Sequence, residues 1–219
     1  MQSQHQRAMF VTGTDTDAGK TYISAALLRH FAAQSLRVVG MKPVASGVTE
    51  LDGVLHNSDV TQLRQASNVQ ADMRWINPYC FAPAIAPHIA AQQAGVAIDL
   101  QQIKQAYEQL CGMADVVVVE GAGGWLVPLN GQQTIADLAQ LLDIPIVLVV
   151  RIRLGCINHA LLSVADIQRR GLTLLGWVAN CMEDEMPVMQ ENIATLQQLI
   201  AAPCLAVVGH HGQVNFNGI

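Results

Sequence analysis

Charge of either sign is scarce in this chain, and clustered positive charge is absent. Only 13% of its 219 residues are Asp, Glu, Lys or Arg, and the 12 basic side chains fall short of the 17 acidic ones, for a net charge of −5. No Lys/Arg-rich segment occurs, which argues against nucleic acid or an acidic membrane surface as the main partner. No apolar run reaches ~18 residues, the span of a membrane-crossing helix. The first eight residues are polar, lack the apolar stretch of a secretory leader, and are expected to be flexible. CxxC pairs are missing too. The five cysteines (80, 111, 156, 181 and 204) are scattered and odd in number, so a disulfide framework or zinc site is not expected and a reducing cytoplasm is.

What the chain does have is apolar material: 51% of its residues are hydrophobic, enough for a sizeable core. Strand-like runs at Met9–Thr12, Val38–Lys42, Val116–Glu120, Ile146–Val150, Leu174–Asn180 and Leu205–Val208 alternate with helical patterns. The helical stretches are Lys20–Gln34, Ser58–Ala66, Ala86–Ala94, Asp99–Gly112, Thr134–Leu142, Cys156–Arg170 and Met186–Ile200. With no repeat and no low-complexity linker, this predicts one α/β domain over residues 1–219. Its central sheet should be mainly parallel, with helices on both faces.

The stretch Gly13–Thr21, GTDTDAGKT, lies between an apolar run and a helical pattern, which is the context of a P-loop and predicts a P-loop NTPase-like fold. Backbone N–H groups there converge on one concavity, and the helix dipole favours negative charge in it. Lys20 then reaches the terminal phosphates and the Thr21 hydroxyl faces Mg²⁺. Five residues rather than four separate Gly13 from Gly19, a departure from the usual spacing. In a sheet of this kind ligands bind beyond the carboxyl ends of the strands. Those ends carry Lys42 to Gly47, Glu120 to Gly124, Arg151 to Asn158, and Asn180.

Each residue carries a functional and a plain reading. Glu120, closing four consecutive valines, fits an acid that holds Mg²⁺ directly or through water, or an exposed acid at a strand end. Lys42 fits a compact charge for a transferring phosphoryl group, or a solvated lysine. Asp59 fits a second metal-directed carboxylate, or, with Ser58, a helix cap. Leu154-Gly155-Cys156-Ile157-Asn158 opens a helix whose free N–H groups suit a carboxylate. Cys156 as a nucleophile lacks an assigned base. His88 and His159 read as capping or core-edge residues. The adjacent His210 and His211 are thin evidence for a metal. Trp75, Trp125 and Trp177 read as packing.

Together, eight stretches resemble the dethiobiotin synthetases: Phe10–Thr21, Gly40–Gly47, Asn57–Asp59, Asn77–Tyr79, Pro87–Ile89, Val119–Trp125, Leu154–Leu161 and Gly176–Asn180. The resemblance implies ATP- and Mg²⁺-dependent carboxylation of 7,8-diaminononanoate with CO₂ or bicarbonate. It proceeds through a carbamate and a carbamic-phosphoric anhydride to a cyclic urea. Matched positions imply catalytic roles for Lys20, Lys42 and Thr16. Asp17, Ala18, Gly19, Lys20, Thr21, Asp59, Glu120, Gly121, Ala122, Gly123, Asn180 and Cys181 are implied at ATP, with Asn180 on the adenine edge. Thr16, Lys42 and Ser46 are implied at the diamine or carbamate. Leu154, Gly155, Cys156, Ile157 and Asn158 are implied at its carboxylate, across a homodimer interface. Thr21, Asp59 and Glu120 are implied to direct Mg²⁺. Two departures stand out: Asp17 where many members have Glu, and no proline near Gly209. A partition-type switch ATPase shares such a loop but carries a lysine where this chain has Asp15. A corrinoid amidotransferase needs a glutaminase domain for which there is no room.

Overall fold

A computed structural model describes residues 7–51, 54–182, 187–209 and 212–219. The His210-His211 pair, the helix start expected at Met186 and residues 1–6 of the expected flexible segment lie outside the described residues. In chain order the elements are β1 (Arg7–Gly13), α1 (Lys20–Ala32), β2 (Val38–Met41), β3 (Val44–Ser46), β4 (Thr49–Leu51), β5 (Val54–His56), α2 (Ser58–Ala66), α3 (Met73–Ile76) and β6 (Tyr79–Phe81). Then follow α4 (Pro87–Gln93), α5 (Leu100–Cys111), β7 (Val116–Glu120), α6 (Ile135–Leu142), β8 (Ile146–Arg151), α7 (Cys156–Arg169), β9 (Leu174–Asn180), α8 (Met189–Leu199) and β10 (Cys204–Val208).

Six strands form one sheet in the order β2-β7-β1-β8-β9-β10, every neighbouring pair parallel. The chain leaves β1 for the β2 edge, returns to insert β7, then crosses to β8 on the other side. The connections thus diverge at β1, and a crevice opens there beyond the carboxyl ends of the strands. β3 pairs with β6, and β4 with β5, as two small ribbons beside this sheet.

Strand β7 explains why the sheet is covered twice. Its valines alternate: Val116 and Val118 join a core with Ile23, Leu27, Leu28 and Phe31 of α1, whereas Val117 and Val119 join a core with Ile103 and Leu110 of α5. All four are fully buried. At about 1.5–3 kcal/mol per buried aliphatic side chain, neither face could be left to water. A third cluster packs Leu148, Val150 and Trp177 against α7 and α8. Trp125 and Trp177 are buried, as packing residues should be.

Helix ends follow local chemistry. The Asp99 carboxylate accepts from Gln101 N at 2.8 Å and caps α5. Thr134 and Asp137 form a reciprocal capping box on α6. At α2 neither proposed cap is used. Asn57 Oδ1 accepts from Asp59 N at 3.0 Å and from Val60 N at 3.2 Å, which leaves the Asp59 carboxylate free for other work.

Candidate active site

The turn from β1 into α1 needs two left-handed residues, Asp17 at φ 56° and Gly19 at φ 93°. A short polar side chain such as Asp tolerates that region. At Gly19 only glycine serves, because a Cβ would lie 2.0 Å from Asn180 Nδ2. That same Nδ2 donates to Ala18 O at 2.8 Å, so the end of β9 braces the loop. Thr14 N donates to Val149 O at 3.0 Å and ties it to β8. Ala18 is fully buried, whereas Thr16 and Asp17 are exposed at the crest.

Lys20, Lys42, Thr21, Asp59 and Glu120 converge beside this loop, although they come from four separate parts of the chain. Lys42 follows β2 directly and is only 4% exposed. Its Nζ lies 2.5 Å from Glu120 Oε1, 2.9 Å from Asp59 Oδ2 and 3.2 Å from Gly121 O. Thr21 Oγ1 donates to the same Glu120 Oε1 at 2.8 Å. Lys20 Nζ donates back to Asp15 O at 3.1 Å.

The electrostatics sort the two lysines. Burial, with Lys42 close by, pulls Lys20 from the ordinary 10.5 down to about 8, although Glu120, Asp59 and Asp17 oppose the fall. Burial pulls Lys42 down as well, but there Glu120 and Asp59 prevail and its pKa rises, so its ammonium stays charged. Asp59 stays ionised: burial raises its carboxyl, yet Lys42 and the Thr21 hydroxyl bring it below the ordinary carboxylate value. Losing one partner from such a buried set of charges would leave the others uncompensated, at a large cost.

Glu120 is fully buried, and its Oε2 has no hydrogen-bond partner among the described residues. An orphaned carboxylate oxygen beside a hydroxyl and a second carboxylate suits a hard divalent cation, which prefers oxygen ligands. Among the described residues no three His, Cys, Asp or Glu side chains could hold a metal by themselves. A cation held there would take its remaining ligands from phosphate and water.

Gly121 is buried, and Ala122 and Gly123 line the β7–α6 loop, which packs on the phosphate loop. A Cβ on Gly123 would come within 3.6 Å of Thr16 Oγ1. Ser46 ends β3, its Oγ buried without a partner among the described residues. The Cys181 thiol is buried and its pKa raised by that burial, with Cys156 and Cys204 nearby, so it packs rather than reacts. Cys156 is likewise buried, against Ala160 and Val164. The opening turn of α7 differs in character. Leu154 is 95% exposed, Gly155 takes φ 92°, and no side chain caps the helix. Ile157 is half-buried and Asn158 exposed there.

Three residues named in the sequence only within matched stretches or as a point of contrast turn out to support the site. Asn77 Nδ2 donates to Lys42 O at 2.6 Å and to Tyr79 O at 2.9 Å, fixing the lysine's main chain. Asn57 Nδ2 donates to Ser46 O at 3.3 Å and Gly47 O at 3.0 Å. Asp15 Oδ2 accepts from Arg153 Nη2 at 2.6 Å. An asparagine next to a proline and another before a helix were the only local signals; nothing local marks the Asp15–Arg153 pair.

Sheet order, loop and converging lysines define a P-loop nucleotide-binding protein. Solved structures agree on the fold. A septum site-determining protein MinD from Pyrococcus horikoshii, complexed with Mg-ADP, superposes with a TM-score of 0.58 at 16% identity, covering 93% of this chain and 81% of its own. A ParA family ATPase from Chlorobium tepidum gives 0.55 at 15% identity, covering 94% and 85%. The AAA domain family model matches residues 7–216. Sequence relatives narrow this further. An ATP-dependent dethiobiotin synthetase from Cellvibrio japonicus is 49% identical over 203 residues, 93% of this chain and 89% of the relative. One from Aromatoleum aromaticum is 48% identical over 204 residues, 93% of this chain and 91% of its own. The chain belongs to the ATP-dependent dethiobiotin synthetase family, a family of ligases.

Proposed function

We propose that this protein closes the cyclic urea of dethiobiotin from 7,8-diaminononanoate, CO₂ and ATP, releasing ADP and phosphate. The observation that carries the reading is the cluster in which Glu120 Oε1 accepts from Lys42 Nζ at 2.5 Å and from Thr21 Oγ1 of the phosphate loop at 2.8 Å. One amine adds to CO₂ and loses a proton, giving a carbamate. A carbamate oxygen attacks the γ-phosphorus and ADP leaves. The second amine then attacks the carbonyl carbon of the mixed anhydride and expels phosphate, taking the bridging oxygen with it. Phosphorylation is needed because a carbamate oxygen is otherwise a poor leaving group.

Chain residues contribute positioning and charge. Backbone N–H groups of 16–21 wrap the phosphates, with Lys20 on the terminal ones. Lys42, kept charged by its carboxylates, offsets the negative charge spread over the transferring phosphoryl group and the carbamate. Thr16 and Ser46 hold the diamine end. Thr21, Asp59 and Glu120 would hold Mg²⁺, which would supply neutralisation of phosphate charge. Asn180 fixes the loop through Ala18 and would read the adenine edge through its amide. The exposed turn 154–158 receives the substrate carboxylate of a second subunit, so the working form is a homodimer. Among the described residues no helix is long and apolar enough to cross a membrane.

The test is direct. Protein, ATP, Mg²⁺, bicarbonate and diamine are incubated and the products read by mass spectrometry. Dethiobiotin formed in step with ADP supports the reading; folded protein yielding none defeats it.

A further inference from the structure

We infer that Arg153 is a positioning residue that ties the phosphate loop to the opening turn of α7, so that nucleotide and diamine bind with linked affinities. Arg153 stands between Ile152, buried and fixed by its N–H on Asn180 O at 2.9 Å, and the exposed Leu154. Its carbonyl accepts from Cys156 N at 3.0 Å and closes the first turn of α7. Its side chain reaches the other way, with Nη2 donating to Asp15 Oδ2 at 2.6 Å.

Asp15 is the matching node on the loop. Its Oδ1 accepts from Thr16 N at 2.8 Å, and its carbonyl accepts from Lys20 Nζ at 3.1 Å. One ion pair therefore joins the turn proposed for a substrate carboxylate to the two loop residues proposed for carbamate and phosphate. A carboxylate pulling on the N–H groups of 154–158 shifts the Arg153 main chain, and the shift reaches Thr16 and Lys20 through Asp15. The pair is partly exposed, 38% and 47%, so its contribution to stability is small and its role is orientation. Coupling between two sites is reciprocal, so either ligand must sharpen the other. Because the turn of one chain would serve its partner's substrate, the link would also join the two sites of a dimer. The inference rests on the proposed dethiobiotin reaction.

The test measures diamine affinity by calorimetry, with and without Mg²⁺ and the β,γ-imido analogue of ATP. The wild type is expected to bind diamine about fivefold more tightly with the nucleotide present. In Arg153→Met and in Asp15→Asn that ratio falls to about one, and diamine KM rises about fivefold while kcat moves less than twofold. Arg153→Lys restores most of the ratio, which a residue needed only for folding would not do. An Arg153→Met protein that keeps the wild-type ratio, or a wild type with no ratio to lose, overturns the inference. A wild type that makes no dethiobiotin at all overturns the functional reading first, and this inference with it.

Discussion

The rim above β1, β2 and β7 and the opening turn of α7, the two places where the proposed function puts an anion, are built in opposite ways. At the rim the side chains come in excess. Lys42 is 4% exposed and spans two carboxylates, and its own N–H and carbonyl are bonded to Ile76 O and Asn77 Nδ2. At the α7 turn there are almost none: Leu154 is 95% exposed, and Gly155 has nothing within 4 Å of where a Cβ would be. On the proposed function, the contrast teaches that the phosphate end of the reaction would be assembled inside one chain, whereas the carboxylate end would gain its walls from a second subunit. An apolar residue that exposed beside an uncapped helix suits a subunit contact.

The hardest blow to the rim should be Lys42→Ala. It is expected to lower kcat by about 10²–10³-fold while ATP affinity stays within a few-fold, read by steady-state kinetics and nucleotide titration. Unchanged turnover would remove Lys42 from the chemistry. The same change leaves Glu120 buried and unpaired, at a cost of about 3–5 kcal/mol in denaturant unfolding. Adding Glu120→Gln should recover part of that stability and none of the activity.

The turn should fail differently. Leu154→Asp is expected to raise diamine KM roughly tenfold and weaken self-association in sedimentation, with ATP affinity in the absence of diamine little changed. If ATP affinity without diamine falls as much as diamine KM rises, the α7 turn also serves the nucleotide directly.

A pH series probes the rim alone. Phosphate beside Lys20 favours its charged form, so nucleotide binding takes up a proton once pH exceeds the unliganded value of about 8. Affinity for ATP should be flat below pH 8 and about fivefold weaker at pH 9 than at pH 8. A flat profile to pH 9.5 would show that Lys20 is not held at that value. For the protein without nucleotide the sign is opposite. The folded pKa lies below the unfolded 10.5, so the unfolded chain holds more protons between pH 8 and 10.5 and stability climbs through that window.

Smallest is Asn57→Ala, which removes the α2 cap and costs about 1 kcal/mol, a melting shift of about 2–4 °C. Because the same amide holds the Ser46 and Gly47 carbonyls, diamine KM should rise slightly as well. No shift in either quantity would mean that β3 holds itself in place.

The phosphate loop, the sheet strands and Glu120 could be read from sequence because each rests on local pattern: a glycine-bearing turn between a strand and a helix, and valines buried on both faces. Strands β7 and β9 and helix α2 fall where the pattern set them, at Val116–Glu120, Leu174–Asn180 and Ser58–Ala66. The short strands β3 to β6 and helix α3 were not anticipated, because three or four residues carry no period to detect. The helix expected from Ala86 begins at Pro87, whose fixed φ suits a first turn. Whether Asp59 caps a helix or faces the site was open in the sequence. Only the fold decides it, by giving the capping role to Asn57 and bringing Lys42 within 2.9 Å of the Asp59 carboxylate. The Asp15–Arg153 contact joins positions 138 residues apart and has no trace in either local segment.

The central claim of the proposed function is that the γ-phosphoryl group of ATP passes to a carbamate oxygen beside Lys20 and Lys42. Turnover with ¹⁸O-labelled carbon dioxide over a short time course, followed by mass analysis of the released phosphate, tests it directly. The account predicts one labelled oxygen in each phosphate formed together with dethiobiotin. Dethiobiotin accompanied by unlabelled phosphate would contradict it.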